Sequence, residues 1–350
     1  MAAMKPTRKA TIDDVAELAG VSIKTVSRVA NQEPNVRQAT REKVEEAIAK
    51  LNYRPNISAR SLASRRSHFI VLVYDDPTAY KDPSSGYIVR LQQGALTACR
   101  MVNSDLLIYP CNYRAKDVSQ ELKSFIERSR PDGIILAAPL SNTPNIVRTI
   151  EATNTPFVRL SPGSSSNHEH AIGTNDREIS AEMIRYLASL GHHRIAFIKG
   201  DRNHKAVANR FLGYQDGLRQ SGLDYSDELV VEGDNSIASG EAGAIDLLGV
   251  EPRPSAVFTA NDDMAAGVTR VAYRMGIDVP GQLSVAGWDD NSLARQIHPS
   301  LTTIRQPLAT MAERAALALL DGAGDESISQ GMEVVPAELK IRESTGPAPN

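Results

Sequence analysis

Two apolar rhythms divide the chain. Up to about residue 52 hydrophobic positions recur at helical spacing, and from His68 onward short continuous apolar runs alternate with amphipathic stretches. Ile12, Val15, Ala16 and Ala19 share one helical face; Thr11 stands at the N-cap, and Asp14 lies where a carboxylate meets unpaired N–H groups and the positive end of the helix dipole. Gly20 ends this helix in a turn that asks for positive φ, and Ser22 caps the next, predicted from about Ile23 to Asn31. There Val26 and Val29 point inward while Ile23, Lys24, Ser27 and Arg28 point outward. A third helix is predicted from about Ala39 to Asn52, where Val44, Ala47, Ile48 and Leu51 recur, until Pro55 forbids continuation. A helical hairpin inside any core would share the periodicity. The agreement of cap, turn and hydrogen-bonding outer face favours a helix-turn-helix.

Beyond His68, FIVLVY, DLLIYPC, DGIILAA and PFVRL, then RIAFIKG, ELVVEG, AVFTAN and LSVAGW read as strands, with helical stretches such as ISAEMIRYLASLG between them. Apolar strands alternating with helices predict parallel sheets covered on both faces. The runs form two groups that divide near residue 165, at SPGSSSNH. Ligands of open α/β sheets sit beyond the carboxyl ends of the strands, so two facing sheets predict a cleft between them.

Charge sharpens this picture. The chain's net charge of −3 conceals a head, residues 1–66, with 13 Lys and Arg against 7 Asp and Glu; the head is thus +6 and the remainder −9. A basic head carrying a helix-turn-helix is oriented toward a polyanion. Hydrophobic content of 41% is ordinary for a globular protein, and no run of about 18 apolar residues suits a membrane span. The stretch MAAMKPTRKATIDDVAE lacks the apolar core of a secretory signal, and Cys99 and Cys111 are too few for a disulfide framework or a zinc site, so a cytoplasmic protein without metal or cofactor is expected.

TIDDVAELAGVSIKTVSRVAN followed by TREKVEEAIAKLNYRPN resembles the DNA-binding headpiece of the lactose/galactose repressor (LacI/GalR) family. The resemblance implies an all-α helix-turn-helix headpiece (1–55), a hinge helix or linker (56–67), and an α/β body like a type I periplasmic binding protein. The body's two parallel-sheet subdomains would be 68–164 with 300–325 and 165–299 with 326–345, the chain crossing between them three times. Implied DNA-contacting residues are Thr11, Ser22, Ile23, Lys24, Thr25, Ser27, Arg28, Asn31 and Tyr53, with Asn56, Ser58, Ala59 and Leu62 in a hinge segment that folds on DNA; Leu62 would wedge between base steps in the minor groove. A plain linker would have no need of apolar Ile57 and Leu62 on one helical face.

For the cleft, a carboxylate, a guanidinium and an amide together hold vicinal hydroxyls, and an aromatic face suits a sugar's C–H surface. Arg210, Asn261 and Asp289 have those chemistries and match the family's effector positions. Singly they could be a surface charge, a helix cap and a turn residue. Trp288 reads equally as buried core or as a stacking face; Tyr74, Asp75, Tyr80 and Tyr87 lie in a segment long enough to reach a ligand, and Ser161 stands where family members often carry aspartate. His192 and His193 read as a structural feature before a strand. ESTGPAPN carries no leucine heptad, so a homodimer rather than a tetramer is expected.

The function these readings imply is a ligand-responsive transcriptional regulator, a repressor of carbohydrate-utilisation genes released from a palindromic double-stranded DNA operator by a mono- or oligosaccharide. Alternatives are a purine-type corepressor, a transport-type sugar receptor, and an enzyme using the acid pairs Asp262/Asp263 and Asp289/Asp290. The sequence holds no GxSxG, HExxH or Walker loop, and catalysis would leave the basic head unexplained.

Overall fold

The computed structural model describes residues 10–30, 35–53, 67–76, 86–163, 170–320 and 331–349. Asn31, Asn56, Ser58, Ala59 and Leu62, and with them the hinge proposal, lie outside the described residues. The chain divides into two units, Met1–Ser67 and His68–Asn350.

The head is a three-helix core. Helix α1 (Ile12–Ala19) opens on a capping box in which Thr11 Oγ1 accepts from the Asp14 amide and the Asp14 carboxylate accepts from the Thr11 amide, and closes on Gly20 at φ 64°. Helix α2 (Ile23–Ala30) starts where Ser22 Oγ accepts from the Thr25 amide at 3.2 Å; α3 spans Gln38–Leu51. Val15, Ala16, Val26, Val29, Val44 and Ala47 form the buried centre, and Ile48, Leu51 and Tyr53 pack half-buried against it.

The body holds two six-stranded sheets. Its strands are β1 (Phe69–Asp75), β2 (Asp105–Cys111), β3 (Gly133–Leu136), β4 (Phe157–Leu160), β5 (Ala171–Gly173), β6 (Ile195–Ile198), β7 (Val230–Val231), β8 (Ala256–Thr259), β9 (Ser284–Asp289), β10 (Thr302–Arg305), β11 (Met332–Val334) and β12 (Glu338–Lys340). The first sheet runs β11-β5-β4-β3-β1-β2, all parallel; the second runs β12-β10-β9-β8-β6-β7, parallel except for the β10–β12 pair. Alternation along β1 shows how the first sheet is covered: Ile70 and Leu72 join one core with helices α4 (Gly86–Met101) and, late in the chain, Leu308–Leu320, whereas Val71 and Val73 join another with α5 (Val118–Ser129) and α6 (Pro144–Glu151). The second lobe has one continuous core, covered by α7 (Asp176–Ser189), α8 (Lys205–Gln220), α9 (Ile237–Leu248) and α10 (Asp262–Arg274).

The lobes do not divide where the sequence boundaries put them. Thr302–Arg305 pairs with β9 in the second sheet, although residues 300–325 were assigned to the first subdomain; Ala171–Gly173 and Met332–Val334 belong to the first sheet rather than the second. The chain does cross three times, but just after Gly173, Arg305 and Val334. These segments are strands of three or four residues, too short for a periodicity that would reveal their sheet.

Candidate functional site

Two surfaces carry candidate chemistry, one on each unit. On the head, Ile23 is 48% exposed despite being apolar, and Lys24 and Arg28 are exposed beside it, so the outer face of α2 offers one apolar contact and two cations. Ser27 is half-buried. The Ser22 and Thr25 hydroxyls lie 2.9 Å apart and exposed. Thr11 is engaged in its capping box, and Tyr53 packs against the core.

In the body a cavity of about 170 Å³ lies at the carboxyl ends of the strands of both sheets. Asp75 reaches it from the end of β1, Tyr87 and Ile88 from α4, and Ala138 and Pro139 from beyond β3; the second lobe adds His204, Val207 and Arg210 from the start of α8, with Asn235, Asn261, Asp263, Asp289 and Asn291. Gln306 follows β10 and gives its Nε2 hydrogen to Asp289 Oδ1 at 2.5 Å.

Arg210, Asn261, Asp289 and Tyr87 are thus brought together. Arg210 is buried: its Nε donates to Asp176 Oδ1 at 3.0 Å, Nη1 donates to the Ala260 carbonyl at 2.6 Å, and its guanidinium lies 4.4 Å from the centre of the Trp288 indole. Asn261 is also the cap of α10: Oδ1 accepts from the Met264 amide and Nδ2 donates to the Asn235 carbonyl. Asp289 sits at φ 117°, a strained conformation for a residue other than glycine, and burial raises its carboxyl to about 7 although Arg210 pulls the other way. Burial likewise raises Asp75 to about 6, and burial with the nearby Arg210 charge depresses His204 to about 3, so this imidazole is neutral. Tyr87 Oη and His204 Nδ1 are buried without a well-aligned partner.

Three expected ligand residues do not reach the cavity lining. Trp288 is fully buried, packed near Phe258 and beneath Arg210; Tyr74 belongs to the first-lobe core; Ser161 is buried at φ 49° beside β5. Trp288 and Tyr74 fail for one reason: neighbouring strand residues face opposite ways, so Asp289 and Asp75 face the cleft while the rings before them face the core. His204, Asn235, Asn291 and Gln306 were missed. Gln306 would have been found had TTIR been read as a strand, since it follows one as Asn261 does.

The acid pairs resolve into separate tasks. Asp262 is fully buried and accepts from Thr303 Oγ1 and the Asn291 amide, and burial holds its carboxyl well above the usual range. Asp290 is also buried, but the Arg305 and Arg342 guanidiniums, at 2.6 and 2.5 Å, outweigh that and keep it below the usual range. Both hold the second lobe together, leaving Asp263 and Asp289 in the lining. His192 uses Nδ1 on Ser255 and Nε2 on Ser284 and the Gly346 carbonyl, a wholly structural set of bonds.

The two lobes touch around the cavity. Arg90 Nη2 donates to the Asp290 carbonyl at 2.9 Å, and a Cβ on Gly86 would lie 2.6 Å from that of Asn291, so the first residue of α4 needs glycine for this close approach. A second contact between the lobes is made by Tyr113 and Arg114 of the first, which bond Asp201 of the second at 3.0 and 2.7 Å.

Comparison with known proteins bears on both units. Residues 11–56 match the model of bacterial regulatory proteins of the lacI family, and residues 184–345 match a periplasmic binding protein-like domain. The transcriptional regulator GalR of Escherichia coli K12 is 33% identical over 89% of this chain and 90% of its own length. Catabolite control protein A of Priestia megaterium is 30% identical over 96% of this chain and 99% of its own. Among solved structures, the Lac repressor dimer bound to operator and an anti-inducer superposes with a TM-score of 0.81 at 27% identity, covering 97% of this chain and all of that one. No helix among the described residues is long and apolar enough to cross a membrane.

Proposed function

The chain belongs to the lacI family of bacterial regulatory proteins, and from that premise we propose that it is a cytoplasmic, homodimeric repressor that leaves a palindromic operator when a neutral sugar fills the cleft. Its relatives are DNA-binding transcription regulators and not enzymes, and the structural bonds of Asp262 and Asp290 agree with a cleft that binds rather than reacts. Two heads related by symmetry read two half-sites, with Ile23, Lys24, Ser27 and Arg28 toward base edges and phosphates. The hinge, with Leu62, carries the effector's influence to the heads.

The observation that carries the effector reading is the charge of the cavity. Asp75, Asp263 and Asp289 line it, while its one guanidinium, Arg210, is already matched by buried Asp176. Such a lining accepts hydrogen bonds from hydroxyls and repels phosphates and carboxylates. Trp288 lies in the core, so the flat stacking surface a purine requires shrinks to Tyr87 and His204. A solved relative of 29% identity is a complex of the regulator CelR with cellobiose, which fits the same reading.

Calorimetric titration of neutral sugars, their uronate and phosphate derivatives, and purines tests it. A neutral sugar is expected to bind, with its anionic derivatives at least about tenfold weaker. Hydroxyl donors favour ionised Asp289, whose carboxyl stands at about 7, so affinity should fall about tenfold per pH unit below that value and level off above it. Tight binding of a purine with no response to any sugar would overturn the assignment.

A further inference from the structure

We propose that Asp176, a residue outside the cavity lining, sets the charge of the ligand that the cleft accepts: it matches the positive charge of Arg210, and without it the same cavity admits carboxylated or phosphorylated sugars. The proposal rests on the reading of the cavity as the effector site and adds the residue that decides between neutral and anionic effectors.

Arg210 is held on three sides. Nε donates to Asp176 Oδ1 at 3.0 Å, Nη1 donates to the Ala260 carbonyl at 2.6 Å, and the guanidinium carbon lies 4.4 Å from the centre of the Trp288 indole. Nη2 makes no hydrogen bond among the described residues and is the nitrogen left for a ligand. The side chains of Arg210 and Asp176 are only 5% and 6% exposed, so they form one buried pair without net charge. Arg210 therefore offers the cavity a donor but no free cation.

Asp176 is placed for this partner rather than for its own helix. It is the first residue of α7, where an acid meets the positive end of the dipole, yet Glu178 in the same turn does this from an exposed position. Burial raises the Asp176 carboxyl, and Arg210 is the largest influence pulling it back. Replacing a buried ion pair by apolar packing is often neutral or stabilising, so a pair beside the cavity points to a task in the cavity.

No other group in the lining takes over the positive charge. Arg210 and His204 are the basic residues among the described lining, and burial with the nearby Arg210 charge depresses His204 to about 3. An anionic group entering the cavity thus meets Asp75, Asp263 and Asp289 and no unmatched cation. Asp176→Asn keeps the shape, and its amide oxygen still accepts from Arg210 Nε, but the guanidinium charge loses its match. A carboxylate or phosphate on the ligand then becomes the partner of Nη2.

The test is calorimetry on the full-length protein at pH 8 and fixed ionic strength, with D-galactose, D-glucose, D-galacturonate, D-glucuronate and inorganic phosphate as probes. In Asp176→Asn, and in Asp176→Ser as a second variant, affinity for at least one anion is expected to rise at least about tenfold over the wild type while that for the neutral sugars does not. The gain should vanish in Asp176→Asn/Arg210→Gln, which places the anion at the guanidinium. A purely structural role for Asp176 would instead weaken sugars and anions alike, or neither, and either result would overturn the proposal. So would a gain that survives the loss of Arg210, or a wild type that binds D-galacturonate as tightly as D-galactose, a result that needs no variant. In each of these cases the effector site stands as long as Asp289→Asn abolishes sugar binding; sugar affinity unchanged in Asp289→Asn would overturn the site as well.

Discussion

Asp289→Asn is expected to abolish sugar binding while leaving the sugar-free protein as stable as the wild type, or more so. The carboxylate at the end of β9 lies buried beside Asp263, with Arg210 already matched by Asp176, so its charge is poorly compensated in the empty cleft. A carboxyl whose pKa rises from 3.8 to about 7 on folding binds a proton that the unfolded chain has released, and stability therefore declines as pH climbs through that interval. Asparagine removes that cost, still accepts the Gln306 hydrogen bond, and tolerates the positive φ better than most side chains. What it loses is a charged acceptor for two hydroxyls, at about 1.5–3 kcal/mol per bond, so affinity should drop by a hundredfold or more. Thermal unfolding at pH 8 without sugar, paired with calorimetry, checks both halves. A destabilised variant that still binds within tenfold of wild type would show that Asp289 serves the fold and not the ligand.

Val26→Asp should have the opposite selectivity: operator binding is lost and sugar affinity is unchanged. Val26 is fully buried among the six central residues of the head, and α2 presents its outer face only because this inner one is packed. Burying a carboxylate without a partner costs several kcal/mol, as much as a small helical core supplies. The body has its own larger cores and sheets and retains the cavity. Fluorescence anisotropy with an operator duplex should show no specific complex, while titration of the same preparation with sugar reproduces the wild-type affinity. Loss of both would mean that the head is needed for the body to fold.

What the sequence disclosed follows from how local each determinant is. Thr11, Asp14, Gly20 and Ser22 act within a few residues of themselves, and the cap, the left-handed turn and the second cap are where the pattern places them. Eight apolar runs gave eight strands because each stands out as an unbroken apolar stretch between polar or turn residues, even where the strand itself has only two to four residues. The strands of three or four residues beside the crossings are defined by their partners: Thr302–Arg305 is held by β9 and β12, information that lies up to 37 residues away (Thr303 to Lys340). That omission moved the lobe boundaries and hid Gln306. In the cleft, Arg210, Asn261 and Asp289 were legible because strand ends and helix starts are where α/β ligands bind. For Trp288 the structure takes the buried-core alternative, and Tyr74 misses the cleft by a single register position, since sequence says that a residue is near a strand end but not which face it takes.

If cleft and operator share one free energy, operator affinity of the full-length protein must differ with and without a saturating sugar, at fixed salt and pH. Operator affinity is predicted to fall by about 5- to 150-fold when the sugar is bound, corresponding to about 1–3 kcal/mol of coupling, with sugar affinity falling by the same factor on the operator complex. An operator affinity identical in the two conditions, for a sugar that calorimetry shows to be bound, would contradict it.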